Sequence, residues 1–247
     1  MIVAAHQPHY MPWLGYLDKM AKADLFVIMD DLQYEAQNFQ NRQRLKLQGG
    51  SAWLTVPLER GTQQDRICDK RIDNSGSAKQ HWQRRTWLTI EHNYRRAPYF
   101  EHYAPALRDV YTRPWESLLA LDLHMLDLAR TWFGITTPMV RASQLGLIGA
   151  KTDRLIAMCH AVGARCYLSG GGGSTEYLDS EQMGRAGTGL IWQYFRHPSY
   201  AQRYAGAGFT SHLGFLDLLF NCGDASREIL FERSHPIRLP IPLEVAA

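Results

Sequence analysis

The first thirty residues run strand, helix, strand, and little else in the sequence limits the fold as strongly. Ile2–Ala5 is a short apolar strand, Leu14–Lys22 an amphipathic helix, and Asp24–Asp30 a second strand, apolar through its centre and ended by two acids. Strands joined through a helix lie parallel, and the crossover is almost always right-handed. Trp53–Pro57 is a further strand. Pro138–Arg141, Thr152–Ala161 and Arg165–Ser169 form a second strand-helix-strand element. Between them Trp82, Trp87, Ile90 and Tyr94 recur at helical spacing, as do the apolar residues of Trp115–Trp132. The pattern predicts a single α/β domain over residues 1–247, built on an open, mostly parallel Rossmann-like sheet with a helical insertion at 77–133.

A chain of 247 residues suits one sizeable domain, and 45% hydrophobic with 21% charged residues is globular usage that argues against disorder. No run approaches the roughly 18 apolar residues of a membrane span, and the N-terminus lacks the basic region of a signal peptide. The four cysteines (Cys68, Cys159, Cys166, Cys222) are scattered with no CxxC pair, which fits a reducing compartment and gives no zinc or disulfide pattern. The expectation is a cytoplasmic protein without membrane contact or resident metal. The net charge is only +3, but Arg42, Arg44, Lys46, Lys70, Arg71, Arg84, Arg85, Arg95 and Arg96 crowd into the first half, a strip suited to an anionic ligand or to solvent.

In open parallel sheets, ligands bind beyond the carboxyl ends of the strands. Two unusual loops follow predicted strands directly and are therefore expected at one edge. The first, His6-Gln7-Pro8-His9-Tyr10-Met11-Pro12-Trp13, places two imidazoles three apart on a proline-stiffened turn, suited to acid–base work or to an anion. Pro8 stands where the His-x-Gly-His motif of nucleotidylyltransferases has glycine. The second, Ser169-Gly170-Gly171-Gly172-Gly173-Ser174, combines conformational freedom with close backbone approach to an anion, but no Gly-Lys-Ser/Thr follows to make it a Walker loop. Asp30 and Asp31 end a strand where a cation, ribose or amine binds, and Tyr34, Asn41, Arg42 and Arg44 supply donors just after them. Arg42 and Arg44 alternate as on a strand and share a face. Tyr177 and Asp179 are further binding candidates, with Asp179 equally suited to cap a helix. Cys222, before Gly223, is either a buried small side chain at a helix end or a nucleophile; a helix C-terminus raises rather than lowers a thiol pKa.

The ordered set His6-Gln-Pro-His-Tyr-Met-Pro-Trp-Leu-Gly-Tyr-Leu-Asp-Lys19, Asp30-Asp-Leu-Gln-Tyr34, Gln40-Asn-Arg42, Trp53-Leu-Thr-Val-Pro57, Arg71-Ile-Asp-Asn74, Tyr167-Leu-Ser169, Tyr177-Leu-Asp179 and Leu218-Leu-Phe-Asn-Cys-Gly223 resembles the WbqC-like family over nearly the whole chain. His9 stands where that family usually has Asn, and four glycines replace a more varied loop. The resemblance implies a biosynthetic role, since such proteins are associated with O-antigen, other polysaccharide and secondary-metabolite loci.

Together with the site residues, it leads to the expectation of a transferase that forms an amide by moving an acyl or aminoacyl group to an amine such as an amino sugar. His6 or His9 would deprotonate the amine, Asp30 or Asp31 would hold it, and Gln7, Tyr10, Trp13, Tyr34 and Asn41 would line the site. Arg42, Arg44 and the Gly170–Gly173 backbone would hold a donor phosphate. The donor would be an acyl thioester of coenzyme A or a carrier protein, or an aminoacyl-tRNA, with no tightly bound cofactor. Two alternatives are a nucleotidylyltransferase or adenylate-forming enzyme with a nucleotide co-substrate, and a non-catalytic protein that stacks a glycan intermediate on Trp13, Tyr34 and Trp53.

Overall fold

The computed structural model describes residues 1–75 and 82–232, the side chains of Ser174 and Thr175 excepted. The predicted insertion therefore opens, at 77–81, outside the described residues. In chain order the strands are β1 (Ile2–His6), β2 (Leu25–Ile28), β3 (Arg42–Leu47), β4 (Gly50–Thr55), β5 (Met139–Arg141), β6 (Cys166–Ser169) and β7 (Gly189–Trp192). The α-helices are α1 (Leu14–Ala21), α2 (Trp82–Tyr94), α3 (Phe100–Thr112), α4 (Leu118–Phe133), α5 (Lys151–Ala161), α6 (Ser180–Arg185), α7 (Leu216–Cys222) and α8 (Ala225–Glu232).

Five strands form one parallel sheet in the order β5-β2-β1-β6-β7. The chain builds outward from β1 to β2 and β5, then returns to the other side of β1 with β6 and β7. The reversal opens a crevice between the carboxyl ends of β1 and β6, where this class of sheet places ligands. The two loops singled out in the sequence leave from those two ends.

The period-2 alternation of β1 divides the core. Val3 and Ala5 join Leu155, Met158 and Met183 under α5 and α6, whereas Ala4 faces Leu14, Leu17, Leu121, Met125 and Leu218 of α1, α4 and α7. Helices thus cover both faces, and the insertion thickens one of them. Trp82, Tyr94, Phe100 and Phe133 of the insertion are almost fully buried there.

Two departures from the sequence reading have physical reasons. The strand expected at Trp53–Pro57 is β4, which pairs antiparallel with β3 across Gln48-Gly49 in a separate two-stranded sheet. Alternating polar residues along Arg42–Leu47 suit such a half-exposed ribbon rather than a strand covered on both faces. The edge strand β7 is only four residues long and opens on a glycine, so it carries little local signal.

Candidate functional site

The turn after β1 is tied down from three sides. Tyr10 N–H donates to the Phe39 carbonyl (3.1 Å), Gln43 Nε2 to the Met11 carbonyl (3.0 Å), and Phe215 N–H to the Pro12 carbonyl (3.0 Å). Met11 is held at φ 49°, a left-handed conformation that only an over-determined setting keeps in a non-glycine residue. Gly214 makes the clamp feasible, because a Cβ there would sit 3.0 Å from the Met11 oxygen.

This clamp presents His6 and His9 edge to face, with ring centroids 4.6 Å apart. Tyr16 of α1 packs against both, at 4.7 and 5.4 Å. His6 Nδ1 lies 3.1 Å from the Gln7 carbonyl, which can only accept, so that nitrogen carries the proton and Nε2 is left as the acceptor. Below them, Lys19 is buried on α1 and its Nζ donates to the Ala5 carbonyl at 2.9 Å. The crevice closes on its far side with Gly170 and Gln193. A Cβ on Gly170 would lie 3.8 Å from Lys19 Nζ and 3.9 Å from Gln193 Oε1. Gln193 also donates to the Gly15 carbonyl and to Asp18, pinning α1 to the end of β7. The two predicted loops therefore meet, with Lys19 between them.

Burial sets the protonation of this group. It lowers the Lys19 ammonium to about 7. Burial, then the Lys19 charge, pushes His9 down to about 3. The same two causes, with His9 third, hold His6 well below its ordinary range. At neutral pH the crevice thus holds two uncharged imidazoles and a lysine that readily gives up its proton, a concentration of bases that ordinary surface sites lack. Neither Lys19 nor Tyr16 was singled out from the sequence. The available signal was a lysine within Leu14–Met20, a helical run buried at every position.

Three predicted groups have other employment. Asp30 is fully buried with both oxygens occupied: Oδ2 accepts from Arg141 Nε and Ser143 Oγ (2.7 Å each), and Oδ1 from Ser143 N–H (2.9 Å). Asp31 pairs with Arg154. These acids fasten the β2 end to β5 and α5; of their four oxygens, Asp31 Oδ1 is the one left without a hydrogen bond among the described residues. Removing the Asp30 carboxylate as Asp30→Ala should cost about 1–3 kcal/mol, because it strands Arg141 and Ser143; chemical denaturation measures it. None of Gly170–Gly173 uses the positive φ that glycine permits. Cys222 ends α7 before Gly223, and burial followed by the Asp217 charge raises its thiol to about 11, which fits the inert reading and not the nucleophile.

The remaining candidates divide between scaffold and rim. Tyr10 is buried and shares a 2.6 Å hydrogen bond with the Tyr111 hydroxyl. Asn41 is buried and donates to Val56, while the Gln7 amide oxygen accepts from Gln40. Ser169 is buried, Gly170 is half-buried and Gly171 is exposed. Asp179 caps α6 through Gln182 N–H, while Tyr177 is half-exposed and its carbonyl accepts from Thr152. Trp13 packs between Phe195 and His212, and Tyr34 lies under Lys70. The backbone of Ser174 lies in a 3-10 turn, but its side chain is outside the described residues. Arg42 and Arg44 do share a face, both over the exposed Trp53 ring at 4.2 and 6.0 Å. Phe39 links this ring to His9, with centroids 5.6 Å from each, so an aromatic and cationic rim runs out from the imidazoles.

A model of the WbqC-like protein family matches residues 7–229, which take in His9, Lys19, Gly170 and Gln193 of this crevice. The chain belongs to that family. Among curated proteins, the WbqC-like chain is similar to Uncharacterized protein Rv1507c of Mycobacterium tuberculosis (strain ATCC 25618 / H37Rv), with 32% identity over 231 residues that cover 92% of this chain and 96% of the relative. No solved structure matches it. None of the described helices is long and apolar enough to cross a membrane.

Proposed function

We propose that this WbqC-like protein is a biosynthetic transferase that moves an acyl or aminoacyl group from a thioester or an aminoacyl-tRNA to an amine acceptor such as an amino sugar. The observation that carries the reading is the trio of unprotonated or readily deprotonated bases, His6, His9 and Lys19, at the switch point of a parallel sheet. Amines arrive as ammonium ions and attack only after losing a proton. A lysine titrating near 7 is matched to that removal at neutral pH, and the His6 imidazole serves as a hydrogen-bond relay.

The amine nitrogen then bonds to the acyl carbon. The carbon–sulfur bond of a thioester, or the carbon–oxygen bond of an aminoacyl ester, breaks, and the leaving thiol or hydroxyl takes one proton while the base keeps the other. Arg42 and Arg44 over Trp53 form a cationic flank for the phosphates that coenzyme A, a phosphopantetheine carrier and tRNA have in common. The test is mass spectrometry of glucosamine incubated with the protein and acetyl-coenzyme A, succinyl-coenzyme A or aminoacyl-tRNA. The expected result is an acyl mass gain on the amine that falls sharply in the His6→Ala/His9→Ala double variant. No gain with the whole donor set, or equal turnover in the double variant, rejects the reading. Pyrophosphate release from ATP or CTP would favour nucleotidyl transfer instead.

A further inference from the structure

The basic residues crowded into the first half of the WbqC-like chain divide into two groups in space. Arg66, Arg71 and the nearby Arg113 rest on carboxylates. Arg84, Arg85 and Arg95 have no acid or carbonyl for their guanidinium groups among the described residues, and all three line one cleft of about 890 Å³. Its walls are α2 and the tip of the β3–β4 hairpin at Gln48-Gly49. Arg84, Leu88 and Arg95 recur at i, i+4 and i+11, so one helix face carries them. Glu91 is the acid in the lining, and Arg108 of α3 engages it at 3.4 Å. Leu88 is 46% exposed among the guanidinium groups, and Leu47 of the hairpin lines the same cleft.

We infer that this cleft docks an acidic, apolar-faced helix of a protein partner and, on the transfer reading, that the partner is the phosphopantetheine carrier bearing the thioester. Three uncompensated guanidinium groups call for a partner rich in carboxylates or phosphates. The leucines decide between them, because an amphipathic helix covers an apolar centre with its own apolar side chains while its acids meet the basic edge. A nucleic-acid backbone would pair the arginines and leave Leu88 in water. The lining also holds no Phe, Tyr or Trp on which the bases of a single strand could stack. The position fits a carrier as well. β3 runs from Arg42, on the rim that leads to His9, to Leu47 in the cleft, roughly 17 Å at 3.3 Å per residue. An extended phosphopantetheine arm is of comparable length, so a carrier seated on the cleft would bring its thioester to that rim.

The experiment is a fluorescence-anisotropy titration of the full chain with labelled holo acyl carrier protein and, separately, with bulk tRNA. Saturable binding of the carrier is expected, weakened about tenfold or more in Arg84→Glu/Arg85→Glu and about threefold in Leu88→Ser. All three positions are exposed, so the variants should melt with the wild type. tRNA should bind more weakly than the carrier. No carrier binding, carrier affinity that either variant leaves unchanged, or tighter binding of tRNA overturns the inference. The readout needs no turnover: a carrier that binds in this way but transfers no acyl group leaves the docking surface standing and rejects the transfer reading alone.

Discussion

Lys19→Met should lower the rate of amide formation by a factor of about 10²–10⁴, the range for loss of a positioned acid–base group. Methionine keeps the length and apolar character of the stem and gives up the nitrogen that donates to the Ala5 carbonyl at 2.9 Å. The protein should fold, since the substitution removes a buried cation whose pKa is pulled to about 7. The pH–rate profile separates base from scaffold. In the wild type, activity should rise with a limb near pH 7 as Lys19 deprotonates; in Lys19→Met that limb should vanish together with most of the rate. His6 and His9 should also protonate more easily in the variant, because the Lys19 charge holds both down. Nuclear magnetic resonance titration of their ring protons would show upward shifts in pKa. A wild-type rate with the limb intact would remove Lys19 from the chemistry.

His9→Asn, which replaces the imidazole with a short amide, should make the protein resistant to acid. The folded His9 titrates at about 3 against an ordinary 6.5. Between those values the unfolded chain binds a proton that the native state refuses, so native stability falls as pH drops through this window and is fully present only above about 6.5. At roughly 1.4 kcal/mol per pH unit, the 3.5-unit gap corresponds to about 5 kcal/mol lost by pH 3, and asparagine has nothing to protonate. Asp122 works in the opposite sense, because burial raises its carboxyl pKa, but it does so in both proteins and largely cancels in the comparison. Urea denaturation at pH 7, 5.5 and 4 should therefore show the stability difference moving steadily in favour of His9→Asn. A constant difference across the three would mean that His9 is solvated in the native protein.

The parallel sheet was legible because β1, α1 and β2 follow one another in thirty residues with strong apolar periodicity, and because β5, α5 and β6 repeat the scheme. The same order put the loops after β1 and β6 on one edge, and the pairing of Ile2–Ala4 with Cys166–Leu168 bears that out. The chemistry was less legible for a definable reason. Sequence reading rewards conspicuous polar clusters such as Asp30-Asp31 and the glycine run, and a cluster's partners lie far away along the chain. Arg141 and Arg154 neutralise those acids from more than a hundred residues downstream. Lys19 follows Asp18 in a short helix, where local pattern assigns such charged residues to solvent. Their meaning depends on a burial that only the packed helices create.

The order β5-β2-β1-β6-β7 also governs when the crevice comes into being. Its two walls, His6 and Gly170, are separated by more than 160 residues, and Gln193 joins them later still. During synthesis the amino-terminal half-sheet has its own neighbours and can form early. The wall across from it exists only once β6 has emerged and closed a long loop, the kind of non-local pairing that folds slowly. A polypeptide released early thus ends with its bases on an open edge, where water has free access to them and their pKa values relax toward those of exposed side chains. The full set of shifted basicities belongs to the finished sheet and not to its amino-terminal half.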